Sequence, residues 1–494
     1  MGEPRIPFSN SYARLPESFY SRVAPTPVAA PRLLLFNERL ARSLGIGLED
    51  VDAETLAQVF AGNRLPQGAE PLSTVYAGHQ FGGYSPQLGD GRAILLGEVV
   101  DRGGQRRDIQ LKGAGRTPYS RRGDGRAALG PVLREYIVSE AVDALGIPTT
   151  RALAAVATGE PVYREERLPG AVLTRVAASH IRVGTFQYFA ARGDTDAVRR
   201  LAEHVIERHY PEAQASARPN LALLQGFAQR HAELVARWMA VGFIHGVMNT
   251  DNMAVSGETI DYGPCAFMEA YDPATVFSAI DEQGRYAYAN QPWAAQWNLA
   301  RLAEALLPVI DPDAAQATAA AQAVIDAFPA LFEDRWLAAM RAKLGLLGAH
   351  DGDADLVAGL LAAMQAGQAD FTLTFRRLCD ALDGAEGDAG GARALFADAA
   401  AFDAWVPLWH ERQRLETAPQ ADRARLMRAS NPARIPRNHR VEQALRAAID
   451  GQDLEPAKAL LAALAAPYDD APAFADYAPA ARPEERVTRT FCGT

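Results

Sequence analysis

Between residues 71 and 178 apolar positions gather in short β-type runs separated by polar residues and glycines. RAILLGEVV (92–100), RDIQLKG (107–113), RALAAVATG (151–159) and GAVLTRVA (170–177) read as strands and are punctuated by glycines. VLREYIVSEAVDALG (132–146) lies in their midst, with apolar residues three and four apart, as a helix requires. Two strands, a helix and two more strands predict a small sheet with one packed helix. Upstream, a Pro-rich stretch holds LLLFNERLARSLGI (33–46), which reads as a short helix. Helical spacing returns from about 190 to 245, clearest in LLQGFAQRHAELVARWMAVG. A loop-rich stretch with HGVMNTDN and IDYGP follows, and from 293 onward the chain reads as nearly all helix, broken by an exposed connection, DALDGAEGDAGGARA (380–394). No period of 20–50 residues marks a solenoid.

Composition narrows the picture. The 494 residues, 48% of them hydrophobic, suffice for a large core without disulfides or structural metals. A net charge of −10 argues against a protein that coats nucleic acid. Cys265, Cys379 and Cys492 are too far apart for a metal knuckle or a disulfide framework, so a reducing compartment is expected. No apolar run reaches membrane-spanning length and the N-terminus has no secretory core, which makes the cytoplasm the expected address, without a membrane partner. Only Lys112, Lys343 and Lys458 among the 50 basic residues are lysines. A lysine in a suggestive place is therefore informative, because arginine serves wherever charge alone is wanted.

Five features carry candidate chemistry. FGGYSPQLGDGRAILLGE (81–98) is a Gly-rich turn whose bare amides could approach phosphates; taken alone, a structural hairpin explains it as well. Lys112 ends a strand, Glu135 sits on the helix that follows, His245 precedes Asn252 by seven residues, and Asp261 opens an Asp-x-Gly turn. Each alone fits a solvated residue. Their serial order is that of the protein-kinase fold, in which a lysine held by a helix glutamate grips phosphates while Asn and Asp ligate Mg²⁺. Val247 then stands where a kinase has its catalytic aspartate, leaving Asp251 as the nearest carboxylate. Asp90 beside a terminal phosphate would repel it by on the order of 1 kcal/mol or more, an argument for a nucleotide orientation unlike that of kinases. Arg175 and Arg182 are further cations for a polyphosphate, although surface arginines are common in so Arg-rich a chain. The basic segment 423–445 reads as a solvated helical surface rather than a binding face.

AGHQFGGYSPQLGDGRAILLGE, LKGAGRTPYSRRGDGRAALGPVLREYIVSEA, HGVMNTDNM and IDYGPCAF resemble the signatures of the selenoprotein O/YdiU family, over nearly the whole chain. The resemblance implies an α+β, protein-kinase-like bilobal fold: an N-terminal extension (1–70), an N-lobe (71–180), a C-lobe (181–345) and a helical C-terminal region (346–494). It implies a protein adenylyltransferase that moves AMP from ATP to Ser, Thr or Tyr hydroxyls with Mg²⁺ or Mn²⁺; some members are described as using UTP with Mn²⁺. Carried over, the nucleotide contacts fall on Gly89, Gly91, Arg92, Lys112, Asp124, Gly125, Arg175, Arg182 and Asp261. The base falls on Asp251, the metal ligands on Asn252 and Asp261, and the support of Lys112 on Glu135. The competing readings are a γ-phosphotransferase and a non-catalytic ATP-binding scaffold. Relatives often end in a redox-active Cys or selenocysteine, the position of Cys492, and some pair it with a cysteine where this chain has Val276-Phe277-Ser278; Cys265 is the cysteine close by.

Overall fold

The computed structural model describes residues 2–382 and 389–491. The strands are β1 (Tyr20–Arg22), β2 (Arg32–Phe36), β3 (Leu72–Thr74), β4 (Gly78–Gln80), β5 (Gly83–Ser85), β6 (Ala93–Val100), β7 (Arg106–Lys112), β8 (Ala127–Ala128), β9 (Arg151–Tyr163) and β10 (Arg167–Ala177). All except the β4–β5 hairpin join one antiparallel sheet, ordered β1-β3-β6-β7-β10-β9-β2, with β8 beside β10. The four long strands are those the glycine-punctuated runs predict. RLLLF is the exception: it pairs with β9 as β2 rather than opening a helix. Asn37 sets the boundary, because its side chain accepts from Leu40 N and starts α1 (Glu38–Ser43) only at Glu38.

Each face of the sheet buries a different layer. Leu40 and Leu44 at α1, with Leu56 and Phe60 of α2 (Ala53–Phe60), pack on Ile94, Ile109, Leu111, Val156 and Val172. Against the opposite face lies α3 (Leu129–Ala144), whose Leu133, Ile137 and Ala141 meet Ala155 and Leu173. Twelve of the sixteen residues of α3 are buried, since its far side is covered as well. That cover comes from α13 (Asn438–Asp450) and α14 (Glu455–Leu464), through Val441, Leu445 and Leu460.

The remaining helices are α4 (Val183–Ala190), α5 (Thr195–His209), α6 (Pro219–Ala240), α7 (Gln291–Ile310), α8 (Ala314–Lys343), α9 (Asp353–Ala366), α10 (Phe371–Leu382), α11 (Ala400–Gln413) and α12 (Gln420–Ser430). They surround one core that includes Trp238, Phe243, Phe371 and Trp409. Short strands β11 (Phe243–Ile244) and β12 (Ala266–Phe267) pair and bracket residues 245–265, the segment with HGVMNTDN and DYG. The segment 423–445 departs from the expected solvated surface. Arg434 and Arg437 are buried, and Arg437 forms a two-pronged ion pair with Asp370 at 2.6 and 3.1 Å. Much of the connection expected at 380–394 lies outside the described residues. Among the described residues no helix is long and apolar enough to cross a membrane.

Candidate active site

The alternation of β7 sends Ile109 and Leu111 into the apolar layer and turns Asp108, Gln110 and Lys112 the other way. Lys112 Nζ donates to Glu135 Oε2 at 2.6 Å and to Asp261 Oδ1 at 3.1 Å. From β10, opposite Gln110, Arg175 Nε donates to Glu135 Oε1 at 2.6 Å. Two cations and two carboxylates thus form one compact network. Burial alone would raise Glu135, but Arg175 and then Lys112 more than offset it and hold its carboxyl below the ordinary value. Burial also works against the charge on Asp261, yet Lys112, Arg175 and Arg92 hold it well below the carboxylate range. Asp261 adopts a left-handed φ of 69°, which a non-glycine residue keeps only where its surroundings enforce it.

Asp251 is treated differently. Its side chain is buried (residue 8% exposed), and burial pushes its pKa up to about 6 against the pull of Arg182. Gln80 Nε2 donates to Oδ2 at 3.2 Å, while Oδ1 has no hydrogen-bond partner among the described residues. The β4–β5 hairpin creates this setting. Its tip, Phe81-Gly82, has positive φ at both positions (50° and 87°), the two-residue turn that suits strand twist and that only glycine enters freely. The tip is pinned to the loop beneath it, for Phe81 N donates to Asn249 Oδ1 at 3.0 Å and His79 N to Thr250 Oγ1 at 2.7 Å. Asn252 donates its Nδ2 to Val247 O at 3.1 Å, leaving Oδ1 as its available donor to a cation. His245, buried beneath, shares a hydrogen bond of 3.0 Å with Ile260 O and so ties the two loops together.

The Gly-rich segment therefore divides in two. Residues 81–83 cap the Asp251 loop, and 89–92 run along the cleft. Gly89 has a left-handed φ of 71°, and a Cβ there would stand 2.4 Å from Tyr119 Cγ, so a larger residue is strained and displaces that ring. The repulsion argument from Asp90 does not hold. Its carboxylate is buried and turned inward, accepting from Thr74 Oγ1 at 2.6 Å and Gln110 Nε2 at 3.3 Å, with Arg182 at 3.6 Å. Asp124 sits on the rim, its carboxylate held by Arg164 at 2.9 Å.

Gly89, Gly91, Arg92, Lys112, Asp124, Gly125, Arg175, Arg182, Asp251, Asn252 and Asp261 all line one cleft of about 740 Å³, with Glu135 just behind Lys112. Sequence reasoning passed over Gln80, Tyr76 and Asn249, which line it too. A two-residue turn ending in glycine between AGHQ and GYS was the available signal for Gln80. Cys265 is buried, and burial pushes its thiol up to about 12, far from the reactive thiolate. Cys492 lies outside the described residues.

Comparison with known proteins gives one consistent answer. The family model described as "Protein adenylyltransferase SelO" matches residues 4–465. The chain is 64% identical over 491 residues to "Protein nucleotidyltransferase YdiU" of Rhizobium rhizogenes (strain K84), covering 99% of this chain and 97% of that one. The proteins of that name in Bradyrhizobium sp. (strain BTAi1) and Agrobacterium fabrum (strain C58) are 62% and 61% identical, covering 99% of each chain. On the residues matched, the chain belongs to the SelO family of protein adenylyltransferases.

Proposed function

We propose that this chain transfers AMP from ATP to Ser, Thr or Tyr hydroxyls of proteins and releases pyrophosphate. Asp251 carries the reading: a buried carboxylate with one oxygen bound by Gln80 and the other without a partner among the described residues, on a cleft that also bears Lys112, Arg175 and Arg182. Val247, in the kinase aspartate position, accepts no proton. Asp251 takes the proton of the acceptor hydroxyl, whose oxygen attacks the α-phosphorus. The bond to the bridging oxygen of the β-phosphate breaks, and pyrophosphate leaves with that electron pair. Lys112, Arg175, Arg182 and Arg92 stabilise the charge gathering on the leaving group. Glu135 keeps Lys112 extended into the cleft, the Gly89 and Gly91 backbone lies along the phosphates, and Asp124 and Gly125 contact the nucleotide from the rim.

The free oxygen of Asn252 and the depressed carboxylate of Asp261 form the hard oxygen set that suits Mg²⁺ or Mn²⁺. These two would hold the ion, which when bound neutralises and orients the phosphates. The same reading takes the sheet with α3 as the smaller lobe of a kinase-like pair (71–180) and 181–345 as the larger. It is supported by the Lys112–Glu135 pair and by the order of the motifs. ATP labelled at the α-phosphate, run beside γ-labelled ATP and α-labelled UTP with Mn²⁺, tests the function. The α-label of ATP is expected on the chain itself and on other proteins. Transfer of the γ-label alone would replace nucleotidyl transfer with phosphoryl transfer.

A further inference from the structure

Beyond the hairpin tip, outside the nucleotide cleft, the surface changes character. The Arg285 guanidinium lies over the Trp293 and Trp297 rings, 4.9 Å from each centroid, and 5.7 Å from that of Tyr286. Arg164, Arg175 and Arg182 in the cleft each face a carboxylate. Arg285 makes no ion pair among the described residues. Beside it Trp293 is 49% exposed, and Ile280, on the rim of the cleft, is 59% exposed. A second cation, Arg192, lies over Tyr188 at 3.5 Å and donates to Pro86 O, just past the outgoing strand of the hairpin.

Arg285 is held in fixed relation to Asp251. The Asp281 carboxylate accepts from Arg285 N at 2.9 Å and Tyr286 N at 2.8 Å, and Tyr286 Oη donates to Asn249 Oδ1 at 2.7 Å. Gly82 faces the guanidinium, so near that a Cβ there would stand 3.7 Å from its Nη1. Two residues before Gly82 is Gln80, the partner of Asp251. That step spans at most about 7 Å of chain.

We propose that Arg285, Trp293, Trp297 and the hairpin tip form the docking site of the acceptor protein. They select a segment with Asp or Glu near the acceptor hydroxyl, since Gln80 touches Asp251 and Gly82, two residues on, faces Arg285. The proposal rests on the transferase reading above. Charge decides the kind of partner. A cation set over two indoles, without a carboxylate partner among the described residues, rewards an incoming acid. Exposed tryptophan and arginine are also the residue types that anchor protein contacts.

The test is transfer from α-labelled ATP to two peptide sets that share a central hydroxyl residue and differ only in acidic or basic flanks. The acid-flanked set is expected to be labelled about tenfold more efficiently, chiefly through KM. Arg285→Glu should invert the preference and Arg285→Lys should keep it, while calorimetry finds ATP bound equally well by both variants. Equal labelling of the two sets, no transfer to either by a self-labelling enzyme, or an unchanged preference in Arg285→Glu overturns the docking site. Absence of α-label from the chain and from every peptide would instead sink the transferase reading, and this proposal with it.

Discussion

Because burial raises Asp251 to about 6, the folded chain between about pH 4 and 6 holds a proton that the unfolded chain has released. Stability from this group therefore falls as pH rises through that window, and at neutral pH the buried charge costs at most about 3 kcal/mol. Asp251→Asn removes that charge and keeps the shape. The variant should melt higher in scanning calorimetry while α-label transfer drops roughly 10²–10⁴-fold, the usual loss for a missing general base. Turnover of the parent chain should decline on the acid side of about pH 6, where Asp251 is protonated; a flat profile from pH 5 to 8 would count against its role. The cleft positions were legible because Lys112, Glu135, Asn252 and Asp261 keep a serial spacing. Two facts were not. The inward turn of Asp90 depends on Thr74 and Gln110, distant in sequence, and the link from Gln80 to Asp251 crosses 171 positions.

At the level of elements, the hairpin β4–β5 leaves Asp251 no room for added volume. A Cβ on Gly78 would lie 2.6 Å from Asp251 Oδ1 and 2.7 Å from Leu88 Cδ1. Gly78→Ala should push the carboxylate aside and lower turnover about 10²-fold, as a misplacement near 1 Å does, with ATP still bound in a calorimetric titration. Short apolar runs set off by glycines revealed β6, β7, β9 and β10, whose apolar residues pack on both faces of the sheet. RLLLF misled because four successive apolar residues carry no period, and the choice between strand and helix fell to Asn37 and to pairing with β9. The basic run 423–445 misled for a related reason: a count of arginines cannot tell a solvated guanidinium from Arg437, whose acid arrives from position 370.

On the scale of the whole molecule, the C-terminal helices and the site share a boundary. Arg437 and Asp370 are both buried, so Arg437→Ala strands a carboxylate and should cost about 3–5 kcal/mol in chemical unfolding, whereas Arg437→Met combined with Asp370→Leu should recover most of it. The helix α3 feels this boundary directly. One side presents Glu135 to Lys112, and the other is roofed by Val441, Leu445 and Leu460. Translated into time, this sandwich removes the small local openings by which most helices exchange their amide hydrogens. The amides of α3 should exchange only when the whole chain unfolds, with the free energy of the global transition, while that of exposed Gly82 at the hairpin tip exchanges many orders of magnitude sooner. Hydrogen exchange read by mass spectrometry would then find the slowest clock in the protein ticking beside Lys112.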